Sequence, residues 1–279
     1  MLSWGGLTDG EWAVLEPLLP RSNRRCGRWR DHRQVINGVI HRLSTGCQWR
    51  RLSDRFGPWQ TIHKRQALWS ADGTWKRLLQ HVQAVADGAG DIDWNINVDS
   101  TSIRAHQHAA GAPANPPPAL PGASKGGPQR SVHMACSCSW RTLSPVVAAG
   151  QRAGCTQFEP VMDKIRVPRL GAGRPRRLPD SVGADKAYSN SLIRSYLRRR
   201  GIRHSIPEKS DSRTACRRRG SDGGRPPSFD QARHKVRNTA ERAINKIKQF
   251  RAVATRDDKR RYVYLGTVTT AALFVWLRS

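Results

Sequence analysis

Apolar residues recur at helical spacing through the first third of the chain and at strand spacing soon after it. In LTDGEWAVLEPLLP (7–20), Trp12, Leu15 and Leu19 fall on one face, which predicts a helix. Thr8 precedes it with Glu11 three residues on, a capping box, and Pro20 closes it. Val35, Val39, Ile40 and Leu43 predict a second helix over 31–44, stopped by Gly46. A third helix is expected from Pro58-Trp59 to about Ser70, with Pro58 in its first turn. Its polar face carries Gln60, His63, Lys64 and Arg65. Two short helices with a tight junction and a basic second helix match a helix-turn-helix, with His63, Lys64 and Arg65 facing DNA. An ordinary three-helix bundle with a solvated basic face reads equally well.

The period then changes. Across DIDWNINVDS, Ile92, Trp94, Ile96 and Val98 alternate with Asp93, Asn95 and Asn97, which predicts a half-buried strand ending at Asp99. Strands are also expected in SVHMAC and LSPVVAAG, and a helix over 156–165. DSVGADKAY reads as a short strand with Asp185 at its end, SNSLIRSYLRRRG as a helix closed by Gly201, and IRHSIP as another strand. Residues 109–128 and 209–228, rich in Gly and Pro, predict irregular connections. Final helices are expected over 230–250 and 262–277. The fold class is therefore α/β, with a small all-helical domain at 1–85, a linker near 86–92 and an α/β domain over 91–279.

Charge narrows the partner. The chain of 279 residues carries 49 Lys+Arg against 21 Asp+Glu, a formal net charge of +28. Such an excess opposes compaction unless a polyanion offsets it, and nucleic acid does so by releasing counterions. No membrane role is expected, because 262–277 is too short to span and contains three threonines. No secretion signal is visible, so a cytoplasmic, nucleoid location is expected. None of the six cysteines forms a Cys-x-x-Cys pair. Cys136-x-Cys138 with His133, and His106-x-His108, each supply too few ligands for zinc.

Acidic residues suggest the chemistry. Asp99 and Asp185 each end a strand, where α/β proteins place sites, and Glu241 lies on a late helix. Clustered carboxylates repel unless a hard cation such as Mg²⁺ sits between them. His234, Arg237, Glu241 and Lys248 are three, four and seven residues apart and share a helical face. Surface ion pairs would show the same spacing.

Three blocks carry a resemblance: VDSTSIRAHQHAAGA (98–112), ADKAYSN (184–190) and RHKVRNTAERAINKIKQFRAVATRDDK (233–259). They resemble the conserved blocks of DDE transposases from bacterial insertion sequences, the IS-five family. LTDGEWAVLEPLLP and CQWRRLSDRFGPWQTIHKRQALWSADGTWKRL are similar to that family's helical N-terminal region. The resemblance implies a ribonuclease-H-like catalytic domain with Asp99, Asp185 and Glu241 as catalytic, metal-binding triad. It implies two Mg²⁺ ions, with Mn²⁺ as substitute. Arg237 and Lys248 match basic positions around the glutamate, and His234, Arg104 and Lys186 are further DNA-contact candidates. The implied partners are double-stranded DNA, as terminal inverted repeats and target, and a second copy of the chain, as a homodimer or higher assembly. The implied reaction is strand cleavage followed by joining of 3′ ends; the alternative is a catalytically decayed copy that only binds DNA. The chain departs from the family pattern at His234 and Asp257, where tyrosine is usual. Between Cys136 and Leu143 the usual Asp-Gly turn is missing, which predicts a weakened hairpin.

Overall fold

The computed structural model describes residues 5–21, 29–110, 130–149, 154–223, 226–227 and 229–278. In chain order the elements begin with α1 (Asp9–Leu15), α2 (His32–Thr45), α3 (Trp59–Ala71) and α4 (Thr74–Gly88). Next come β1 (Asn95–Ile103), α5 (Gln107–Ala110), β2 (Arg130–Cys136), β3 (Thr142–Ala149) and α6 (Phe158–Asp163). β4 (Ser181–Ala184), α7 (Ser191–Arg199), β5 (Arg203–Ser205), α8 (Ser210–Arg218) and α9 (Gln231–Lys235) follow. The chain ends with α10 (Asn238–Lys248), α11 (Arg251–Ala254) and α12 (Arg261–Leu277).

Two compact units form, and neither is continuous in sequence. The first gathers 1–83, 102–130 and 245–279; the second gathers 84–101 and 131–244. The C-terminal segment, expected with the α/β domain, instead shares the first unit. The physical reason is α12, in which every residue from Gly266 to Trp276 is buried. A helix apolar on every side must be enclosed. α12 packs on α3 so closely that a Cβ at Gly266 would collide with Ser70 Oγ.

Within the first unit, Thr8 caps α1 with the expected capping box, and Asp31 caps α2. Gly46, at φ 66°, closes α2, a left-handed conformation that glycine adopts without steric cost. The connection from α2 to α3 contains two 3-10 turns, Trp49–Arg51 and Asp54–Phe56, so the expected tight junction is absent. Arg65 also departs from expectation. It is only 6% exposed, with its guanidinium 3.8 Å over the Trp29 ring and Nη1 2.8 Å from His32 Nδ1. A guanidinium so enclosed fills the core with its stem and stacked head and has no face left for a base edge. His63 is half-buried, its ring 5.2 Å from Trp49, while Lys64 is exposed. Arg65→Ala is therefore expected to cost about 2 kcal/mol of stability and leave the DNA affinity of the folded protein unchanged. Thermal melting beside a binding titration checks this; weaker binding at unchanged melting temperature would restore the DNA-contact reading.

In the second unit the five strands run in the order β3-β2-β1-β4-β5. β1, β4 and β5 are parallel neighbours. A sheet of this order, with helices between its parallel strands, is the ribonuclease-H-like α/β arrangement. The hairpin at 137–141 closes without the Asp-Gly turn, at the cost of strain. Ser137 donates its N–H to Arg141 O (3.0 Å) and Trp140 donates to Ser137 O (3.1 Å). The turn holds Trp140 at φ 60°, which costs a non-glycine residue about 1–2 kcal/mol. Loss of the Asp-Gly pair thus strains the turn and leaves the strands joined. Residues 209–228, expected to be irregular, include α8 and a 3-10 turn at Gly220–Gly223. α8 buries no residue, so the apolar period that marks helices in sequence is missing there. The expected loop at 109–128 lies almost wholly outside the described residues.

Candidate functional site

The site is set by strand register. β1 pairs with β4 in parallel up to Val98 opposite Ala184. The next residues are Asp99 and Asp185, one step beyond the last pair on strands that lie about 4.8 Å apart. β1 does not end at Asp99, as expected, but runs on to Ile103; only its pairing with β4 ends there. Asp185 caps a 3-10 turn, Lys186–Tyr188, accepting a hydrogen bond from the Lys186 N–H.

Glu241 comes from the first turn of α10, where the helix dipole favours a carboxylate. The expected single helix over 230–250 is broken: α9 stops at Lys235 and α10 restarts at Asn238. At the restart Thr239 and Ala240 donate to Val236 O and Arg237 O, three residues back, the tighter spacing of 3-10 structure. His234 therefore lies on a short helix separate from the one that carries Glu241. Its ring sits 5.2 Å from Phe229, half-buried.

Asn97 ties this break to the sheet. Its side chain is buried and donates to Thr239 Oγ1 at 2.9 Å. Asn97 and Asp99 project from the same face of β1, and Thr239 stands two residues before Glu241. The bond thus lays the start of α10 across the strand face that carries Asp99. Asn97 needs room, and a Cβ on Gly183 would collide with its Oδ1. Alternation in the sequence marks Asn95 and Asn97 as polar, but a polar face reads as solvated until the helix that covers it is seen.

The three carboxylates influence one another. Burial pushes the Asp99 carboxyl up, and the charges of Glu241 and Asp185 push in the same direction, while the Ser100 N–H and Arg237 oppose them. Arg237 Nη2 donates to Glu241 Oε1 at 2.8 Å. Tyr188 is buried beside both aspartates, and burial pushes its phenol up to about 12. Among the described residues, no three His, Cys, Asp or Glu side chains form a ready-made metal cage; Glu241 is held by Arg237 instead. Lys186 is exposed next to Asp185. Lys248, half-buried, and Arg104, exposed, belong to the first unit. There the unusual Asp257 lies 3.4 Å from His106 Nδ1.

On the expectation that the three carboxylates hold Mg²⁺, Asn97→Ala should lower any activity of this site about 10–100-fold, the usual penalty for losing a residue that orients ligands. A purely structural defect would not shift the metal dependence, so the check is the Mg²⁺ concentration for half-maximal activity. It should rise, with partial rescue at high Mg²⁺; an unchanged requirement would remove the positioning role.

Residues 94–274 match the family described as Transposase DDE domain, and residues 7–79 match Putative transposase of IS4/5 family. A stretch of 107 residues is 36% identical to the Insertion element IS402 uncharacterized 16.2 kDa protein of Burkholderia cepacia, covering 36% of this chain and 73% of that one. The uncharacterized protein y4sN of Sinorhizobium fredii is 31% identical over 108 residues, 38% of this chain and 82% of its own. Among solved structures, the piggyBac transposase synaptic complex with hairpin DNA is similar at 11% identity and a TM-score of 0.45, covering 96% of this chain and 70% of that chain.

Proposed function

Because the chain belongs to the DDE transposases of the IS4/5 family, enzymes that cut DNA and transfer its strands, we propose that Asp99, Asp185 and Glu241 are its catalytic triad. The substrate is the terminal inverted repeat of the chain's own insertion sequence, and the product is a 3′ end joined to target DNA. The observation that carries the reading is the register of β1 on β4, which sets Asp99 and Asp185 side by side.

The residues suit magnesium. All donors are carboxylate oxygens, the hard ligands that magnesium prefers; thiol and imidazole play no part. Asp99 and Asp185 would hold the ions from just beyond the last β1–β4 pair and Glu241 from the helix, with two ions expected and manganese able to replace them. Bound there, the metal supplies Lewis acidity at the phosphoryl oxygens.

Both steps are displacements at phosphorus. In the first, a water oxygen attacks, a new P–O bond forms and the P–O3′ bond breaks, leaving a 3′ hydroxyl and a 5′ phosphate. In the second, that hydroxyl attacks a target phosphodiester and expels its 3′ oxygen. The proton of each attacking group leaves to solvent and each departing oxygen gains one, so no oxidant is needed. Arg237 sits beside Glu241 and near Asp99, where a guanidinium can hold a non-bridging phosphate oxygen. Lys186, exposed beside Asp185, offers a second phosphate contact. Lys248, Arg104, Lys64 and the half-buried His63 and His234 remain proposed contacts to DNA. Acting on two element ends requires at least two copies of the chain. No helix among the described residues is long and apolar enough to cross a membrane.

The test is an assay on DNA carrying the element's own ends. Cutting and joining with Mg²⁺ or Mn²⁺, both lost on chelation, would support the reading. Binding without cutting under every metal condition would point to a DNA-binding relic.

A further inference from the structure

A groove of about 770 Å³ in the second unit is lined by Arg166, Arg174, Arg176, Arg177, Leu178 and Arg200, among others. Two carboxylates reach these arginines: Asp180 pairs with Arg176 (2.8 Å) and Asp163 with Arg200 (3.2 Å). Arg174 and Arg177 are exposed and have no ion-pair partner among the described residues. Several guanidiniums converging on one hollow repel each other unless an anion enters.

The groove is built, not improvised. Val167 and Arg176 exchange both backbone hydrogen bonds (3.0 and 2.9 Å), which closes 167–176 into an arm carrying Arg174 near its end. The Arg176 guanidinium lies 4.2 Å over the Trp94 ring, and the Asp180 N–H donates to Trp94 O.

Topology separates it from the carboxylates. Trp94 stands just before β1 begins and Asp180 just before β4 begins, whereas Asp99 and Asp185 follow the last paired residues of these strands. Arg200 follows α7, which must return to the entry edge before β5 can run parallel to β4. The arginines thus lie at the entry edge of the sheet, about 16 Å along the strands from Asp99 and Asp185 at ~3.3 Å per residue.

We infer that this groove grips the sugar–phosphate backbone of duplex DNA away from the scissile phosphate, independently of base sequence. Guanidinium forks match phosphate oxygens in pairs. The lining contains no aromatic ring, so it offers no platform for stacking the bases of a single strand. The inference rests on the transposase reading only for its choice of DNA as the polyanion.

The test replaces Arg174 and Arg177 with Ala together, and separately with Lys, in the full chain. Affinity is measured against salt for a duplex with the element's end, an unrelated duplex and a single-stranded RNA. Both duplexes should bind about tenfold more weakly to the Ala pair, with the slope of log affinity against log salt reduced by about two. The Lys pair should restore the salt slope and part of the affinity, since charge returns without the bidentate fork, and melting should not change. Unaltered affinity and slope would overturn the inference, as would weakening confined to one duplex or to the RNA. Binding lost through these arginines in a protein that never cuts would defeat the catalytic reading and leave the groove standing; cutting with no effect of the arginines would do the reverse.

Discussion

Asp185→Ala should reduce cutting and joining by roughly a thousandfold or more, while binding to the element's ends stays the same or tightens slightly. Asp185 follows a fully buried strand of four residues, β4, and is itself only half-buried. In the proposed triad, removing its carboxyl would delete one metal ligand and one negative charge close to the DNA phosphate. Little packing is lost, so the melting temperature should hold. Parallel gel assays of cleavage and binding check this. A variant that cuts normally would remove Asp185 from the triad; one that neither binds nor cuts would reassign it to folding or DNA contact.

The second large effect concerns stability. Asp258→Ala should cost about 3–5 kcal/mol, lowering the melting temperature on the order of 10 °C. Asp258 accepts from both terminal nitrogens of Arg42, at 3.1 and 3.4 Å, and from Thr267 Oγ1 at 2.8 Å. Both charged side chains are almost wholly buried, 2% exposed for Arg42 and 4% for Asp258. Truncating the acid strands a buried guanidinium, so most of the penalty lies in the partner left behind. Replacing Arg42 with Met in the same protein should recover much of the loss. Denaturant melts of the two variants decide it; a single variant within about 0.5 kcal/mol of the parent would show that water relieves Arg42.

Only some of these residues announce their roles in the sequence. Asp99 and Asp185 are legible because an acid that follows an apolar alternation leaves a local signature, although β1 itself runs on past Asp99 to Ile103, and the ordered blocks supply the pairing. Asn97 is not legible, since nothing in a strand's alternation says that a helix about 140 residues away will cover its polar face; the 2.9 Å bond to Thr239 is a tertiary fact. Arg65 misleads for the related reason that a basic residue in an amphipathic helix reads as solvated, while Trp29 and His32 enclose it here. The block ATRDDK stands out as a motif, yet its Arg256 is fully buried, donating to Asp258 O and Lys259 O. Its role is scaffolding of the first unit. The placement of α12 with the N-terminal helices follows from its all-round burial, which the sequence signals as apolar length but without naming the neighbour.

The most direct measurement is Mn²⁺ binding, followed by electron paramagnetic resonance, in the parent chain and in Asp99→Ala, Asp185→Ala and Glu241→Ala. The parent should bind Mn²⁺ when DNA ends are present, each substitution should weaken this binding sharply, and Mg²⁺ should compete for the same sites. Mn²⁺ bound equally well by the parent and all three variants would contradict a metal centre built from these carboxylates.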